Sequence, residues 1–134
     1  MGLTEDERKA LVSMRMNNAR QTLEDAKIIA NSKLWKAAAN RLYYACYYAA
    51  SALMAKFGYE AKTHAGIIRL LGLNFISKNL MNKELGDAYY KLFTLRQKSD
   101  YDDWIVVKES DLMPLFKPAE EFIAEIERLI DNNS

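Results

Sequence analysis

Residues 41–56 read RLYYACYYAASALMAK, with no charged side chain between Arg41 and Lys56. A helix that is apolar around its whole circumference belongs in the centre of a bundle or between two subunits. We therefore predict a central helix that is capped by Ser32, runs to about Lys56 and ends at Gly58. Serine favours helix N-termini, and glycine readily adopts the left-handed conformation that closes a helix.

Four further helices are predicted from N-capping residues and from apolar side chains spaced three or four apart. They cover about 4–31, 64–78, 83–99 and 110–131, with N-caps Thr4, Thr63, Asn82 and Ser110. Glu7 has capping-box spacing from Thr4. Pro118 should kink the last helix or split off its first turns, and residues 101–108 form an ordered connection. These elements predict an all-α fold, one domain over 1–134: an antiparallel up-and-down four-helix bundle with an additional helix.

The composition narrows the class of protein. The chain has 134 residues, of which Cys46 is the one cysteine and His64 the one histidine, so a disulfide framework or a clustered metal site is not expected. No apolar run approaches the roughly 20 residues that span a bilayer, and the acidic N-terminus lacks a secretion signal. We expect a cytoplasmic protein without a membrane segment, a metal or a cofactor.

Net charge alone hides a strong segregation of charge along the chain. The net charge is +1, which argues against a strongly basic nucleic-acid binder. Residues 56–98, however, carry eight basic and three acidic side chains, whereas residues 100–134 carry three basic and ten acidic ones. Arg96 lies at the border between the two regions. Any site for a phosphate-bearing ligand is therefore predicted to lie in a basic part of the molecule rather than over its whole surface.

The first candidate site is the tyrosine-rich part of the central helix. Arg41, Tyr44 and Tyr48 share one helix face, and Tyr43 and Tyr47 share the adjacent face. Such tyrosines usually form a core or a dimer face in which their hydroxyls find local hydrogen bonds. The alternative is a pocket in which Arg41 binds an anion. The charge-free Ala/Tyr face of this helix also predicts a homodimer.

Two further groups are candidates. His64 begins the third helix, where the helix dipole disfavours the imidazolium, and it is either a buried structural histidine or a neutral proton acceptor. Arg96 is followed at i+4 by Asp100, which can hold its guanidinium, and then by Tyr101. Asp100 lies at a helix C-terminus, against the dipole, and no stability argument accounts for an acid there.

These motifs together resemble the HEPN superfamily, and in particular its small stand-alone prokaryotic proteins. The residues that carry the resemblance are RLYYA from Arg41, KTH from Lys62 to His64, and Arg96-x-x-x-Asp100-Tyr101. The resemblance extends from about Asn17 to Leu129. It implies an up-and-down helical bundle that forms homodimers and pairs with a minimal nucleotidyltransferase. In many members it also implies a toxin with metal-independent endoribonuclease activity.

The sequence departs from the family's nuclease signature, an arginine followed four to six residues later by histidine. Arg96 matches the arginine, but Tyr101, Asp102 and Asp103 occupy the expected places of the histidine. Tyrosine (pKa about 10) and aspartate (about 3.9) are poor substitutes for proton transfer near neutral pH. We therefore expect a nucleotide- or RNA-binding and protein-interaction module.

The residue roles in this expectation follow the three motifs. Arg41 and Arg96 would hold phosphate, Lys62 and His64 would border the same cleft, and Tyr44 and Tyr101 would offer hydroxyls or stacking faces. Asp100 would complete the ligand site beside Arg96. The alternatives are an active ribonuclease that uses Arg96 with His64 or Tyr101, and a purely structural helical dimer.

Overall fold

The computed structural model describes residues 2–133 and contains, within them, five α-helices and no strand. The helices are α1 (Glu5–Asn31), α2 (Trp35–Phe57), α3 (His64–Leu71), α4 (Lys83–Tyr101) and α5 (Glu109–Asp131). A π-helical turn, Gly72–Ile76, continues α3. The all-α bundle predicted from the sequence is therefore confirmed.

Most of the predicted helix ends are confirmed by their caps. Thr4 and Glu7 form the capping box: the Glu7 amide donates to Thr4 Oγ1 at 3.1 Å, and the Thr4 amide donates to Glu7 Oε1 at 2.9 Å. The side chains of Thr63 and Asn82 accept backbone hydrogen bonds at the starts of α3 and α4. Gly58 ends α2 with φ +76°, a conformation that side chains disfavour.

Two predicted caps are wrong. The Ser32 amide still donates to carbonyls of α1, so Ser32 ends α1, and α2 begins only at Trp35 after Lys33 turns the chain with φ 61°. Ser110 lies inside α5, because the Asp111 carboxylate accepts from the Lys108 amide at 2.9 Å and starts the helix one residue earlier.

Pro118 does not split α5, which continues through both of its prolines. The lost amide donors leave the carbonyls of Ser110 and Pro114 without their helical bonds. Both of those residues are exposed, so water can solvate these carbonyls.

The core lies around α2, which contacts every other α-helix. Its interface with α1 is made largely of small side chains that let the two helices approach closely. Fully buried alanines on the two helices include Ala19, Ala26, Ala38, Ala45 and Ala49. Larger side chains fill the space between α2, α4 and α5, among them Leu42, Tyr89, Leu92, Phe122 and Ile126.

The charge-free face of α2, from which the sequence predicted a homodimer, is largely buried within the single chain. The alanine face of α2 is covered by α1 and α5 of the same molecule, so its lack of charge is explained without a second subunit. Across the same bundle, Arg20 and Lys27 of α1 pair with Glu127 and Glu120 of the acidic α5. Between residues 2 and 133, no helix is both long enough and apolar enough to cross a bilayer.

Candidate functional site

The candidate site is built on three tyrosines of α2, here called the tyrosine cluster: Tyr43, Tyr44 and Tyr47. Their ring centroids lie 5.2–6.2 Å apart, with Tyr43 edge-on to Tyr44 and stacked on Tyr47. Tyr43 is fully buried, whereas Tyr44 and Tyr47 are half-buried. The helical spacing therefore aims one ring into the core and leaves two at the surface, where α3 and α4 approach them.

His64, the first residue of α3, packs directly against this cluster. Its Nδ1 lies 2.6 Å from the Tyr43 hydroxyl, and its ring stacks on Tyr47 with centroids 4.2 Å apart and planes 13° apart. None of the residues between 2 and 133 hydrogen-bonds its Nε2. His64 is half-buried, so this nitrogen is the one left available to a ligand.

The surroundings of His64 favour its neutral form. Burial lowers its pKa from the ordinary value, and the positive charge of Arg96 lowers it further. Burial also raises the pKa of Tyr43, which stays a neutral phenol. If the Tyr43 hydroxyl donates to Nδ1, the proton sits on Nε2; if Nδ1 donates instead, Nε2 presents a lone pair.

Behind Tyr43 lies a second buried phenol, Tyr89, whose ring stacks on that of Tyr43 at 5.9 Å. Burial raises the pKa of Tyr89, and the neighbouring Tyr43 adds to the effect. The Tyr89 hydroxyl is buried without a well-formed hydrogen bond to a described group, and it interacts with the Tyr43 hydroxyl. The cluster therefore holds a second buried phenol beside the Tyr43–His64 bond.

Two guanidinium groups cover the outer side of the cluster. The Arg96 guanidinium carbon lies 5.3 Å from the Tyr43 ring centroid and 5.2 Å from that of Tyr44. The Arg41 guanidinium carbon lies 5.1 Å from the same Tyr44 ring. The Tyr44 ring therefore contacts two guanidinium groups, and cation–π attraction helps to position both of them.

Each guanidinium is also held by a neighbouring side chain. Arg96 Nε donates to Asp100 Oδ2 at 2.9 Å, and both side chains are partly exposed. Arg41 Nε and Nη2 donate to Asn40 Oδ1 at 3.1 and 2.9 Å. These bonds orient the planar groups and leave further N–H donors on each arginine available to an anion.

The structure brings together most of the predicted site residues, but not all. The five that meet at the tyrosine cluster are Arg41, Tyr44, His64, Arg96 and Asp100. Lys62 is exposed and lines a groove of about 530 Å³ to which Tyr47 of the cluster also contributes. Tyr101 is 85% exposed at the end of α4 and is not brought to the cluster.

Sequence reasoning missed the site role of Tyr43 and Tyr47, which hold His64 by a hydrogen bond and by stacking. Their i, i+4 spacing already placed them on one face of α2, but nothing in the sequence showed that α3 begins beside that face. Tyr89 was missed for the same reason, because α4 reaches the cluster only through the tertiary fold. Between residues 2 and 133, no group of His, Cys, Asp or Glu side chains could hold a metal ion.

Comparison with known proteins agrees with this architecture, since a HEPN domain matches residues 12–129. The chain belongs to the HEPN domain family. A "UPF0332 protein" from Thermotoga maritima is 31% identical over 127 residues, covering 95% of this chain and 96% of the relative. A protein from Methanocaldococcus jannaschii named "Putative toxin" is 33% identical over 113 residues, covering 84% and 78%. A second protein of that name from the same organism is 27% identical over 119 residues, covering 88% and 81%.

Within this HEPN domain, the histidine missing after Arg96 has a spatial counterpart. His64 comes from α3, 32 positions earlier in the chain, yet it contacts the rings of Tyr43 and Tyr44 that Arg96 also covers. The site thus combines cations, aromatic faces and one neutral imidazole on neighbouring surfaces of three helices.

Proposed function

We propose that this protein is a toxin-like HEPN module that binds the phosphate groups of RNA or of a nucleotide at the tyrosine cluster. The observation that carries the proposal is the convergence of Arg41, Arg96 and His64 on that cluster from α2, α4 and α3. The relatives named as toxins support a toxin-like role.

The chemistry suits a single-stranded, phosphate-bearing ligand. Guanidinium groups with free N–H donors bind phosphate oxygens, often in pairs. The half-buried Tyr44 and Tyr47 present aromatic surface, and bases stack on such faces without strict sequence preference. Asp100 orients Arg96 rather than cancelling it, because it engages only Nε of the guanidinium.

The resemblance also implies partners. We propose a homodimer that acts with a minimal nucleotidyltransferase in a toxin–antitoxin-like or defence system. Co-purification of a tagged copy from its native host tests the second partner: a nucleotidyltransferase should be retained. Its absence from the purified complex would contradict the pairing and leave the ligand site unaffected.

Ligand binding is tested by fluorescence anisotropy with a labelled single-stranded RNA, with AMP as competitor. Arg96→Gln and Arg41→Gln should each weaken binding, and each should lower the slope of log K against log salt by about 0.7, the value for one phosphate contact on a single strand. Arg69→Gln, an exposed arginine of α3, is the matched control and should bind normally. Equal affinities for all four proteins would overturn the proposal.

A second function, metal-independent RNA cleavage, is favoured by one observation: His64 and Arg96 contact the same two rings, those of Tyr43 and Tyr44. The RNA 2′-hydroxyl would attack the adjacent phosphorus and pass its proton to His64 Nε2. The bond from phosphorus to the 5′-oxygen would break, and that oxygen would take a proton from water, whose hydroxide recovers the proton from His64. The products are a 2′,3′-cyclic phosphate and a 5′-hydroxyl. Arg96 would neutralise the charge that develops on the phosphate oxygens.

End-labelled RNA incubated in EDTA tests this second function. Wild-type protein should produce cyclic-phosphate ends, and both Arg96→Ala and His64→Gln should abolish them. No cleavage by the wild type, or cleavage that survives Arg96→Ala, would exclude the ribonuclease and leave the binding module.

A further inference from the structure

The connection between α4 and α5 exposes unusually large apolar side chains. Trp104 is 92% exposed and Val106 is 73% exposed, and Tyr101, the last residue of α4, is 85% exposed. An aromatic side chain buries roughly 150–250 Å² when it is packed, so this segment gives up much of the stabilisation available to it. Large apolar side chains exposed close together in the chain are typical of interaction sites.

The segment forms a hydrogen-bonded turn. The Asp102 carboxylate accepts a hydrogen bond from the Trp104 amide at 2.9 Å, and the Ile105 amide donates to the Asp102 carbonyl at 3.1 Å. Val107, immediately after the exposed stretch, is buried and anchors it to the bundle. Trp104 is therefore held outward on a fixed turn.

An apolar groove of about 840 Å³ lies next to this turn. It runs over the link between α1 and α2, and Val107 and Asp100 form its edge nearest the exposed segment. Its apolar lining includes Leu34, itself 59% exposed, and the half-buried Trp35. One surface thus carries a protruding tryptophan and an unfilled apolar groove side by side.

The charges around the two features are opposite. The protruding segment carries Asp103, which is exposed beside Trp104. The groove carries Lys33 and Lys36, both exposed on its lining. If two copies of this chain meet at this surface, the Asp103 carboxylate of one copy is attracted to Lys33 and Lys36 of the other.

We propose that two copies of this chain dimerise by exchanging Trp104, each placing it in the groove lined by Leu34 and Trp35 of the other. Because the protrusion and the groove are neighbours, a two-fold axis between them satisfies both contacts at once, as a self-complementary interface requires. Asp103 of each copy then faces Lys33 and Lys36 of the other.

This contact surface rests on the proposed homodimer, and it is tested without RNA so that its failure can be told apart from a failure of RNA binding. It lies beside the ligand site, since Arg41 and Asp100 belong both to the groove and to the surroundings of Tyr44. Each subunit would therefore place its Trp104 segment next to the other subunit's tyrosine cluster.

Sedimentation velocity on the full chain without RNA tests the exchange. Wild-type protein should sediment as a dimer at micromolar concentration. Trp104→Ser and Leu34→Asp should each raise the dimer dissociation constant at least about tenfold, because central aromatic anchors dominate interface energetics. Leu73→Ser, at a leucine that is 57% exposed in the π-helical turn, is the matched control and should leave the dimer unchanged.

Mixing the two weakened variants tests the reciprocity. The Leu34→Asp protein keeps its Trp104, and the Trp104→Ser protein keeps its groove, so a mixed dimer retains one of the two contacts and should form more readily than either variant's own dimer. Asp103→Lys should weaken the dimer, and adding Lys33→Glu and Lys36→Glu to the same chain should recover it.

The outcomes distinguish the proposed exchange of Trp104 from the existence of a homodimer. A monomeric wild type would overturn both. A wild-type dimer that Trp104→Ser and Leu34→Asp leave intact would overturn the exchange and keep the homodimer. Failure of the mixed variants to associate would overturn the reciprocal arrangement.

Discussion

Two aromatic regions of similar composition behave in opposite ways. In the tyrosine cluster every ring lies within about 6 Å of another ring, and Tyr43 and Tyr44 also carry a guanidinium. At the end of α4 and in the connection that follows it, Tyr101 and Trp104 are almost fully exposed. Helical spacing puts the first set on surfaces of α2 that α3 and α4 cover, whereas the turn at Asp102 points Trp104 away from the bundle. Which element packs against an aromatic residue, and not the residue type, decides whether it is structural or available.

The sharpest way to break this comparison is to remove a ring from the cluster. Tyr43→Ala should lower the free energy of unfolding by about 3–5 kcal/mol, because a fully buried aromatic side chain is lost from a packed core. Urea denaturation followed by far-UV circular dichroism measures the change. A loss below about 1 kcal/mol would mean that the cluster is no better packed than the connection.

A smaller change isolates the hydroxyl. Tyr43→Phe keeps the ring and removes the hydrogen bond to His64 Nδ1, so we expect a loss of about 1 kcal/mol. Tyr89→Phe is the matched control, since it removes a buried hydroxyl that makes no well-formed hydrogen bond to a described residue. That variant should be at least as stable as the wild type, and a larger loss for Tyr89→Phe than for Tyr43→Phe would contradict the assigned bond.

The neutral histidine predicts a pH dependence. The folded-state pKa of His64 is lowered by burial and by Arg96, so the folded protein holds fewer protons than the unfolded chain near the ordinary pKa of about 6.5. Its contribution to stability is complete above that pH and is lost as the pH falls through the folded-state pKa. Urea midpoints at pH 7.5 and 5.5 should therefore differ more for wild type than for His64→Gln. Equal differences would show that His64 is not held neutral.

The smallest effect is expected in the connection. Trp104→Ser should change the free energy of unfolding by no more than about 0.5 kcal/mol in dilute protein, because the side chain is exposed within the monomer. At high protein concentration the wild type should gain stability over the variant, since dimer formation is linked to folding by mass action. A large loss in dilute protein would place Trp104 in the monomer core and erase the contrast.

Much of the fold could be predicted because its signals are local. Thr4, Thr63, Asn82 and Gly58 act through residues within four positions of themselves, and the structure places all four caps as expected. Ser32 and Ser110 were misplaced because a serine near a helix end can serve either side of the junction. The left-handed backbone of Lys33 and the carboxylate of Asp111 set the true boundaries.

The candidate site could be predicted only in part, for a related reason. Arg41 and Tyr44, or Arg96 and Asp100, are neighbours on one helix, so spacing alone relates them. The contact of His64 with Tyr43 and Tyr47 depends on how the chain returns after Gly58, which no short-range pattern encodes. Tyr101 is the opposite case. The motif predicted it as a site residue, but in the structure it is exposed at the end of α4 and does not join the cluster.

The close alanine interface between α1 and α2 also has a kinetic consequence. These two helices are consecutive and joined by three residues, so the most extensive helix–helix contact in the molecule needs very little loop closure. Chains dominated by such near-neighbour contacts fold quickly, and we expect this hairpin to form in the folding transition state. Ala49→Gly should then slow refolding, whereas Ile126→Val in α5 should mainly hasten unfolding, which stopped-flow kinetics would resolve. The first half of the chain would thus be a template on which the rest assembles.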